Sequence, residues 1–479
     1  MRRATLGREM MNRKGTNDNK ILIITYVFPP AAYVGVHRTL KYCKYLGRHG
    51  WTPIVLAAKP RGATFMDENL LRQLPPEVVV HRTLDFDPAK WEDKLTELKL
   101  RGSRRAASNI RAEQAPVGVR PAANAAGAFG RLKQFIKTVL KDSPDSHIFW
   151  VPFAILRGVA ILLTERIDVI YSTTPPHSTH LAAYVLAKCF RKPYVLDFRD
   201  PWYVGGSVRS PGNKIPALLK LETRAKRAIV RGAAKVICVS KGERDELRAE
   251  FPEADHEHFT YITNGYDPPD LAAAGAVVDR SPRLSLIHAG TIYPGIAGEF
   301  FEALRRLVET DPVTVRSMQV QLLGDIANDY ADAVRLLEGA GIVEVHGVQP
   351  HARTLQMVQA SDVPVILMGG TKFLPSHLPA KVFEYLHAGK PILAIAGEGE
   401  VTEILRQSGL GIVVRPHSPD SVADALRDLV ADHAAGRLTR VPNESYIRSF
   451  ERTALTERLA CVLDAVKEAE LVRQQCPSR

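Results

Sequence analysis

Residues 378–396 read LPAKVFEYLHAGKPILAIA, and this stretch decides the fold. Its first half is typical of a helix. Pro379 suits the first turn, where a missing N–H costs nothing, and Gly389 can end the helix. Its second half, Ile392–Ala396, is a short apolar run of the kind that forms a buried parallel strand. The stretch therefore predicts one helix–strand unit of a parallel sheet.

Two charged residues, Lys381 and Glu384, stand in the first turns of this predicted helix. An ammonium and a carboxylate beside a helix N-terminus can hold both phosphates and hydroxyls. For an isolated pair, a solvated lysine and glutamate on an ordinary surface helix would be the commoner interpretation. Whether the pair marks a ligand site therefore depends on the rest of the stretch.

That stretch resembles the signature of the retaining glycosyltransferases of family 4, which often read P-S-K-x-F-E-Y-L-A-x-G-K-P there. The resemblance implies the α/β GT-B fold, with two doubly wound Rossmann-like domains, an interdomain cleft and a C-terminal helix that crosses back. It also implies that Glu384 binds the ribose of a nucleotide sugar. The helix N-terminus around Leu378, Pro379 and Lys381 would then face the diphosphate. The resemblance further implies no bound metal and no other cofactor, since the GT-B fold normally works without a metal, and it implies a nucleotide-diphosphate sugar as the donor substrate.

Length and composition are those of a soluble protein with two domains. The 479 residues exceed one compact core, and 45% hydrophobic with 24% charged residues is ordinary for globular proteins. The five cysteines are scattered without metal-ligand spacing, which predicts reduced thiols and a cytoplasmic location. The polar first 19 residues predict a disordered leader rather than a secretory signal, and no apolar run is long enough to span a bilayer.

The net charge of +12 is unevenly placed. Residues 94–141 contain eleven Lys or Arg against two acids, a net of +9. Within them, residues 131–140 (RLKQFIKTVL) have the spacing of a basic amphipathic helix, although packing against the domain would also explain the apolar face. This excess positive charge has three interpretations: binding to an anionic membrane surface, binding to nucleic acid, or solubility alone. Nucleic acid ranks last, because no aromatic interleaving or nucleic-acid motif accompanies it.

Strands and helices alternate in the first half, which predicts a parallel sheet. The loop after the first strand carries F-P-P, then Gly35 and Arg38, as the resembled family does. The resemblance therefore implies that Gly35 and Arg38 contact the nucleotide sugar. A tight turn with a surface arginine is the other interpretation of the same residues.

A later strand of this half ends in DFRDPW and, together with STTPP, resembles a subgroup of family 4 associated with bacterial surface polysaccharides. Arg199 and Asp200 follow the carboxyl end of this strand and are predicted to line the cleft as catalytic groups. Asp197 and Asp200 could suggest a metal pair, but no third ligand is near, so we expect no metal. His177 and His180 are further candidates, against the plainer interpretation of solvated loop histidines.

The second half also alternates predicted strands and helices, but its sequence differs from the family pattern at two places. After the strand LSLIHAG the family has an arginine and a nearby lysine on the diphosphate, whereas this chain has Gly290 and Thr291. Lys381 or Lys372 is the hypothetical replacement. Ser376 stands where the family's other glutamate touches the donor sugar. The predicted nucleotide-sugar contacts in this half are Glu384, Gly290, Thr291, Val348, Ser376, Leu378 and Pro379.

The predicted layout runs as follows: a leader at 1–19, an acceptor-binding domain at 20–268 with a basic Ala/Gly-rich insertion at 92–142, a linker at 269–282, a nucleotide-sugar-binding domain at 283–440, and a C-terminal helix at 441–479.

We expect transfer of a sugar, with retention, to a saccharide or lipid-linked saccharide in polysaccharide or glycoconjugate biosynthesis. The location would be cytoplasmic, in part at the inner face of the plasma membrane. A nucleotide-sugar epimerase or hydrolase, and a non-catalytic nucleotide-sugar-binding protein of the same fold, are the alternatives.

Overall fold

The computed structural model describes residues 19–475, except 34, 61–65, 86–144, 205, 208–209, 212–215, 274–281, 370–374 and 417. Four sequence predictions therefore lie wholly or mostly outside the described residues. These are the leader, the basic insertion with its amphipathic segment 131–140, most of the linker, and Lys372.

Seven strands form the first sheet, in the order β3-β2-β1-β4-β5-β8-β9. They are β1 (Asn19–Ile24), β2 (Trp51–Ala58), β3 (Val79–Thr83), β4 (Val169–Thr173), β5 (Tyr194–Phe198), β8 (Lys235–Cys238) and β9 (Phe259–Tyr261). Strand β1 pairs in parallel with β2 on one side and β4 on the other, so the winding reverses there. This is the switch point of a doubly wound sheet, where ligands bind beyond the carboxyl ends of the strands.

Helices connect the strands of the first sheet, as the alternating sequence pattern predicts. They are α1 (Val36–Tyr45), α2 (Val151–Thr164), α3 (Ser178–Phe190), α4 (Pro216–Gly232) and α5 (Lys241–Glu250). A two-stranded antiparallel pair, β6 (Gly206–Ser207) with β7 (Ser210–Pro211), precedes α4. Short 3-10 turns lie at Leu46–His49, Glu68–Gln73, Ile148–Trp150 and His256–His258.

Six parallel strands form the second sheet, in the order β12-β11-β10-β13-β14-β15. They are β10 (Leu284–Ala289), β11 (Met318–Leu323), β12 (Val343–Gly347), β13 (Val363–Gly369), β14 (Ile392–Ala396) and β15 (Gly411–Val414). The helices of this part are α6 (Pro268–Ala273), α7 (Gly298–Thr310), α8 (Pro312–Arg316), α9 (Ala331–Gly339), α10 (His351–Ala360), α11 (Lys381–Ala388), α12 (Glu400–Gln407) and α13 (Pro419–Ala434), with a 3-10 turn at Asn328–Tyr330. The switch point lies between β10 and β13, and the prediction of two doubly wound sheets is confirmed.

Burial explains why the apolar runs in the sequence are strands. Every residue of β4, β5, β10, β13 and β14 is buried. Sheets covered by helices on both faces require such continuous apolar runs, whereas a half-exposed sheet would show alternation. Residues 378–396 supply α11 and β14, and β14 pairs with β13 on one side and β15 on the other.

The chain forms two compact units: Met1–Val236 with Leu463–Arg479, and Ile237–Val462. The last helix, α15 (Arg452–Gln475), begins in the second unit, and its later turns belong to the first. There Trp51 Nε1 donates to Asp464 Oδ1 at 2.8 Å. A helix that returns to the first sheet is what the GT-B resemblance implied. In the described part of the chain, no helix has both the length and the apolar character needed to cross a membrane.

The sequence predicts a single C-terminal helix within residues 441–479, but the structure has two helices there, α14 (Glu444–Arg448) and α15. The break occurs because the backbone between the two helices hydrogen-bonds to Tyr266. The Tyr266 N–H donates to Phe450 O at 3.2 Å, and the Tyr266 carbonyl accepts from Arg452 N–H at 2.8 Å. Gly265 permits this approach, since a Cβ there would collide with the carbonyl of Phe450.

Candidate active site

Two glycines shape the loop at the carboxyl end of β10. Gly290 has φ +131° and Gly324, which follows β11, has φ +105°, a range in which glycine is strongly favoured. A Cβ on Gly324 would lie 2.7 Å from the carbonyl carbon of Gly290, and Gly290 N–H donates to Leu323 O at 2.8 Å. The backbones of the two strand ends can therefore pack together directly, which leaves the Gly290–Thr291 peptide accessible to a side chain from another element.

That side chain is Lys381, the first residue of α11. Its Nζ lies 2.7 Å from the position that a Cβ of Gly290 would occupy. Burial lowers the pKa of Lys381 to about 8, while Glu384 acts to raise it. The ammonium is therefore held at the loop after β10, where the sequence itself offers no cation.

His288, the residue before the last of β10, contacts the same ammonium. Its Nε2 lies 3.1 Å from Lys381 Nζ and its Nδ1 lies 2.9 Å from Val365 O on β13. The side chain is completely buried, and burial together with the charge of Lys381 holds its pKa well below the usual value. Sequence analysis missed His288. The signal it offered was a histidine in a mainly apolar strand, two residues before Gly290.

Glu384 lies one helical turn beyond Lys381 on α11. About 25% of its side chain is exposed, and its Oε1 is 3.9 Å from His351 Nε2. Burial raises the pKa of Glu384, while the charges of His351 and Arg452 oppose the shift. Asp270 acts in the same direction as burial. The helix thus presents an ammonium and a carboxylate on neighbouring turns, as the sequence predicted.

The start of α11 differs slightly from the sequence prediction. The helix begins at Lys381 and ends at Gly389, whose φ of +68° is the predicted left-handed cap. Pro379 lies just before the helix, where its carbonyl accepts from Val382 N–H at 3.2 Å. Leu378 is buried in the core of the second unit. Leu378 therefore anchors the chain just before the helix, and the Pro379 carbonyl accepts one of its first backbone hydrogen bonds.

Tyr385 ties α11 to the sheet. Its hydroxyl accepts a hydrogen bond from Ala289 N–H at 2.8 Å, at the end of β10. The same residue is completely buried. Helix α11 is consequently fixed to the strand whose terminal loop it approaches.

The other two predicted contacts of this half are Ser376 and Val348. Ser376 donates from its hydroxyl to Glu246 Oε1 of α5 at 2.6 Å, so a carboxylate does stand beside this position although the chain has no glutamate there. Val348 follows β12 and has 44% of its surface exposed. Because β12 lies two strands from β10, Val348 is on the order of 10 Å from the Gly290 loop.

In the first unit, Arg38 is buried and forms a bidentate pair with Asp197. Its Nε lies 2.9 Å from Oδ2 and its Nη2 lies 2.7 Å from Oδ1. Tyr171 and Thr173 also donate to Oδ2, at 2.6 and 3.0 Å. Burial alone would raise the pKa of Asp197, but Arg38 holds it below the usual value. The Arg38 side chain is therefore buried, and Arg38 is not a surface arginine.

The Arg199 side chain contacts the backbone of Gly35. The Arg199 guanidinium donates to the carbonyls of Gly35, Thr174 and Pro175. Any side chain at Gly35 would collide with that guanidinium. Burial lowers the pKa of Arg199, although Asp197 and Asp200 act to raise it. Asp200 itself is exposed.

The two candidate histidines lie at the start of α3 and neither is simply a solvated loop residue. His177 stacks on Trp202, with ring centroids 5.1 Å apart and an angle of 5°. His180 is completely buried, with Nδ1 2.7 Å from Ser172 Oγ, and burial lowers its pKa well below the usual value. His180 therefore belongs to the core under the DFRDPW segment.

Comparison with known proteins covers both halves of the chain. Residues 35–265 match the model of a glycosyl transferase 4-like domain, and residues 285–432 match that of glycosyl transferases group 1. A D-inositol 3-phosphate glycosyltransferase of Nocardiopsis dassonvillei is 23% identical over 325 residues, or 64% of this chain and 71% of that protein.

Solved structures share the fold. The sucrose-phosphate synthase of Thermosynechococcus elongatus superposes with a TM-score of 0.60 at 15% identity, covering 94% of this chain and all of that one. Anabaena HepE, crystallised with UDP, superposes with a TM-score of 0.54 at 15% identity, covering 93% of this chain and all of that one.

Proposed function

The chain belongs to the family 4-like glycosyltransferases of GT-B fold, and from this premise we propose that it transfers a sugar, with retention, from a nucleotide-diphosphate sugar to a saccharide or lipid-linked saccharide. Such a reaction would serve the synthesis of a polysaccharide or glycoconjugate. That it is a glycosyltransferase follows from the family; the donor, the stereochemistry, the acceptor and the biosynthetic role are our proposals.

One observation carries the proposal: the Lys381 ammonium lies against the Gly290 loop at the switch point of the second sheet. Glycosyl transfer leaves negative charge on the departing diphosphate, and donors fixed in place before the reaction stabilise that charge best. Lys381, the N-terminus of α11 and the backbone at Gly290 and Thr291 are the proposed donors. The UDP-bound and UDP-glucose-bound structures of Anabaena HepE are consistent with a nucleotide ligand in this fold.

In the proposed mechanism no side chain acts as a nucleophile. The bond from the anomeric carbon to the diphosphate breaks, the acceptor hydroxyl attacks the same face, and the departing phosphate receives the acceptor's proton. Arg199 and Asp200 remain proposed catalytic groups at the carboxyl end of β5. Gly35 contributes by leaving room for the Arg199 guanidinium.

The overall test is acceptor-dependent release of nucleoside diphosphate. A thermal-shift screen with UDP, GDP, ADP and CDP sugars identifies the nucleotide, and the anomeric proton coupling of the product in NMR reports retention or inversion. Turnover of donor without any acceptor would instead indicate the epimerase or hydrolase alternative. Binding without turnover under any acceptor tested would contradict the proposed transfer.

Replacing Glu384 with alanine should weaken binding of the nucleotide sugar about ten- to a hundredfold, because the ribose hydroxyl loses a charged acceptor worth about 1.5–3 kcal/mol. Isothermal calorimetry with the donor found in the screen measures the change. Glu384→Gln keeps one acceptor oxygen and should lose less. Unchanged affinity in a folded alanine variant would remove Glu384 from the donor site.

Membrane association is a further expectation for the basic segment 94–141. Each Lys or Arg near an anionic leaflet contributes about 1 kcal/mol, so a few of them suffice for reversible binding. In liposome co-sedimentation, the protein should pellet with anionic but not neutral vesicles. Binding should weaken with added salt. Replacing Arg131, Lys133 and Lys137 with glutamine should reduce it further.

A matched control removes the same charge elsewhere. Arg335, Arg415 and Arg437 have 73%, 63% and 66% of their side chains exposed, and their replacement by glutamine also removes three positive charges. This control should pellet almost as well as the unaltered protein. Equal losses in the two triple variants would indicate a nonspecific charge effect, and a protein that stays in the supernatant at low salt would exclude membrane binding.

A further inference from the structure

We propose that His288 is a positioning residue, which holds the ammonium of Lys381 against the Gly290 loop and so sets where positive charge meets a ligand's diphosphate. Only the last part of this statement rests on the proposed function. The contact between the two side chains and its effect on the lysine are properties of the protein alone, and they can be tested without any substrate.

The hydrogen-bond partners of His288 decide its tautomer. Val365 O lies 2.9 Å from Nδ1, and a carbonyl oxygen can only accept, so Nδ1 carries the proton. In a neutral imidazole the other nitrogen, Nε2, then presents a lone pair. Lys381 Nζ lies 3.1 Å from that lone pair and donates to it. The strand β13 therefore orients the acceptor that the lysine uses.

His288 stays neutral while Lys381 titrates. Burial and the neighbouring ammonium hold the pKa of His288 well below its usual value, whereas the pKa of Lys381 is about 8. A neutral acceptor favours the ammonium over the amine, which partly offsets the burial that depresses the lysine's pKa. Without His288 Nε2, the lysine should lose its proton at lower pH.

Among the described residues, Glu384 is the charged group that acts on Lys381, and groups from three other elements act on Glu384. Glu384, on its own helix, favours the ammonium. The groups that in turn act on Glu384 are His351 of α10, Arg452 of α15 and Asp270 of α6. None of these four is altered by a change at position 288, so a variant there isolates the contact from β10.

The contact also gives the ammonium a direction. An ammonium has three N–H donors, and the bond to His288 uses one of them. Nζ is held so close to Gly290 that a Cβ there would be 2.7 Å away. In the part of the chain that the structure describes, His288 is the one hydrogen-bond partner of Nζ, so the remaining donors are available at the loop, which is where we propose that the diphosphate binds.

Two substitutions separate the two hydrogen bonds of His288. In His288→Asn the amide nitrogen occupies roughly the place of Nδ1 and keeps the bond to Val365, but nothing reaches Lys381. In His288→Gln the longer amide reaches the place of Nε2 and offers an oxygen acceptor to Lys381. The glutamine variant is therefore the rescue control for the asparagine variant.

The decisive measurement is the titration of Lys381 by NMR in protein labelled with ¹³C at lysine Cε, without ligand. Loss of the resonance in Lys381→Met assigns it. We expect a midpoint near pH 8 in the unaltered protein, about one pH unit lower in His288→Asn, and within a few tenths in His288→Gln. An unchanged midpoint in the folded asparagine variant would overturn the proposal.

A second measurement covers the case in which the asparagine variant does not fold. The ¹⁵N shifts of the His288 ring in long-range ¹H–¹⁵N spectra should show the Nδ1–H tautomer. In Lys381→Met the Nε2 signal should move toward that of an acceptor with no donor. A ring in the Nε2–H tautomer, or an Nε2 signal that ignores the loss of Lys381, would equally refute the contact.

The ligand arm tests the diphosphate role separately. The probe is UDP, or whichever of GDP, ADP and CDP raises the melting temperature of the unaltered protein. Affinity should fall several-fold in His288→Asn, remain near normal in His288→Gln, and show no further loss when His288→Asn is added to Lys381→Met. A displaced lysine midpoint with unchanged nucleotide affinity would leave the contact standing and refute its proposed use at the diphosphate.

Discussion

Lys381→Ala should lower kcat by about 10²- to 10³-fold, the loss typical when one donor to a developing oxyanion is removed. Binding of the donor should weaken much less, because the charge that Lys381 meets grows as the diphosphate departs. The reason for this expectation is structural: the ammonium stands at the loop after β10, 2.7 Å from the position of a Gly290 Cβ, at a place where the local sequence has no cation. Steady-state kinetics with the identified donor and acceptor measure the effect.

Two variants control for packing and charge. Lys381→Met retains the volume of the buried stem without the charge and should be nearly as slow as the alanine variant. Lys381→Arg retains a cation and should recover part of the rate. A rise in KM with kcat unchanged would show that Lys381 only binds the ground state.

The same residue predicts a pH dependence. The pKa of Lys381 is lowered to about 8 in the folded protein, and the ammonium is the form that stabilises the departing diphosphate. Since kcat/KM reports ionisations of the free enzyme, it should fall as the pH rises through about 8. In Lys381→Arg this alkaline decrease should disappear, because a guanidinium stays protonated throughout that range. An identical profile in both proteins would assign the decrease to another group.

Asp197→Ala should lower the free energy of unfolding of the first unit by about 3–5 kcal/mol, because it leaves the Arg38 guanidinium buried without its partner. The side chains of this pair are 1% and 0% exposed, and Tyr171 and Thr173 would lose an acceptor as well. Urea denaturation followed by tryptophan fluorescence reports the first unit, since all four tryptophans lie within residues 1–236, and far-ultraviolet circular dichroism reports the helices of both units.

The exposed pair of Arg335 and Asp332 provides the matched control. Its side chains are 73% and 95% exposed, so Asp332→Ala should cost no more than about 1 kcal/mol. Replacing both members of the buried pair by apolar residues should cost less than Asp197→Ala alone. Equal costs at positions 197 and 332 would refute the buried-pair argument.

The contribution of Asp197 to the free energy of unfolding should also vanish at low pH, because its pKa is depressed from 3.8 and the stabilisation is lost as the carboxylate is protonated.

Much of the fold could be predicted because its determinants are local. The runs KILIIT, DVIYST, LSLIHAG and VPVILM are mainly apolar segments of strand length, and the structure buries most of each run in a sheet. Gly389 ends α11 in the left-handed conformation that the sequence predicted. The C-terminal helix shows where local pattern fails: its periodicity continues through residues 449–451, but Tyr266 takes the backbone hydrogen bonds there.

The site was only partly predictable. Lys381 and Glu384 could be named because they lie three residues apart in a stretch that resembles the family 4 signature. His288, which contacts Lys381, is 93 residues away, and Glu246, which contacts Ser376, is 130 residues away. Arg38 was predicted at the ligand, whereas its guanidinium is paired with Asp197 across 159 residues.

The sequence by itself determined which segments are strands and helices, where glycine ends or bends them, and which helix carries the ammonium and the carboxylate. These follow from periodicity, burial of apolar runs and backbone preference, each set by a few neighbouring residues. Only the tertiary structure decided what those charges touch. Strand order places β10 beside β13, so that Val365 orients His288 and His288 meets Lys381, and it places β4 beside β5, so that Tyr171 joins Asp197. Such pairings depend on which strands become neighbours, and no local pattern of residues specifies that.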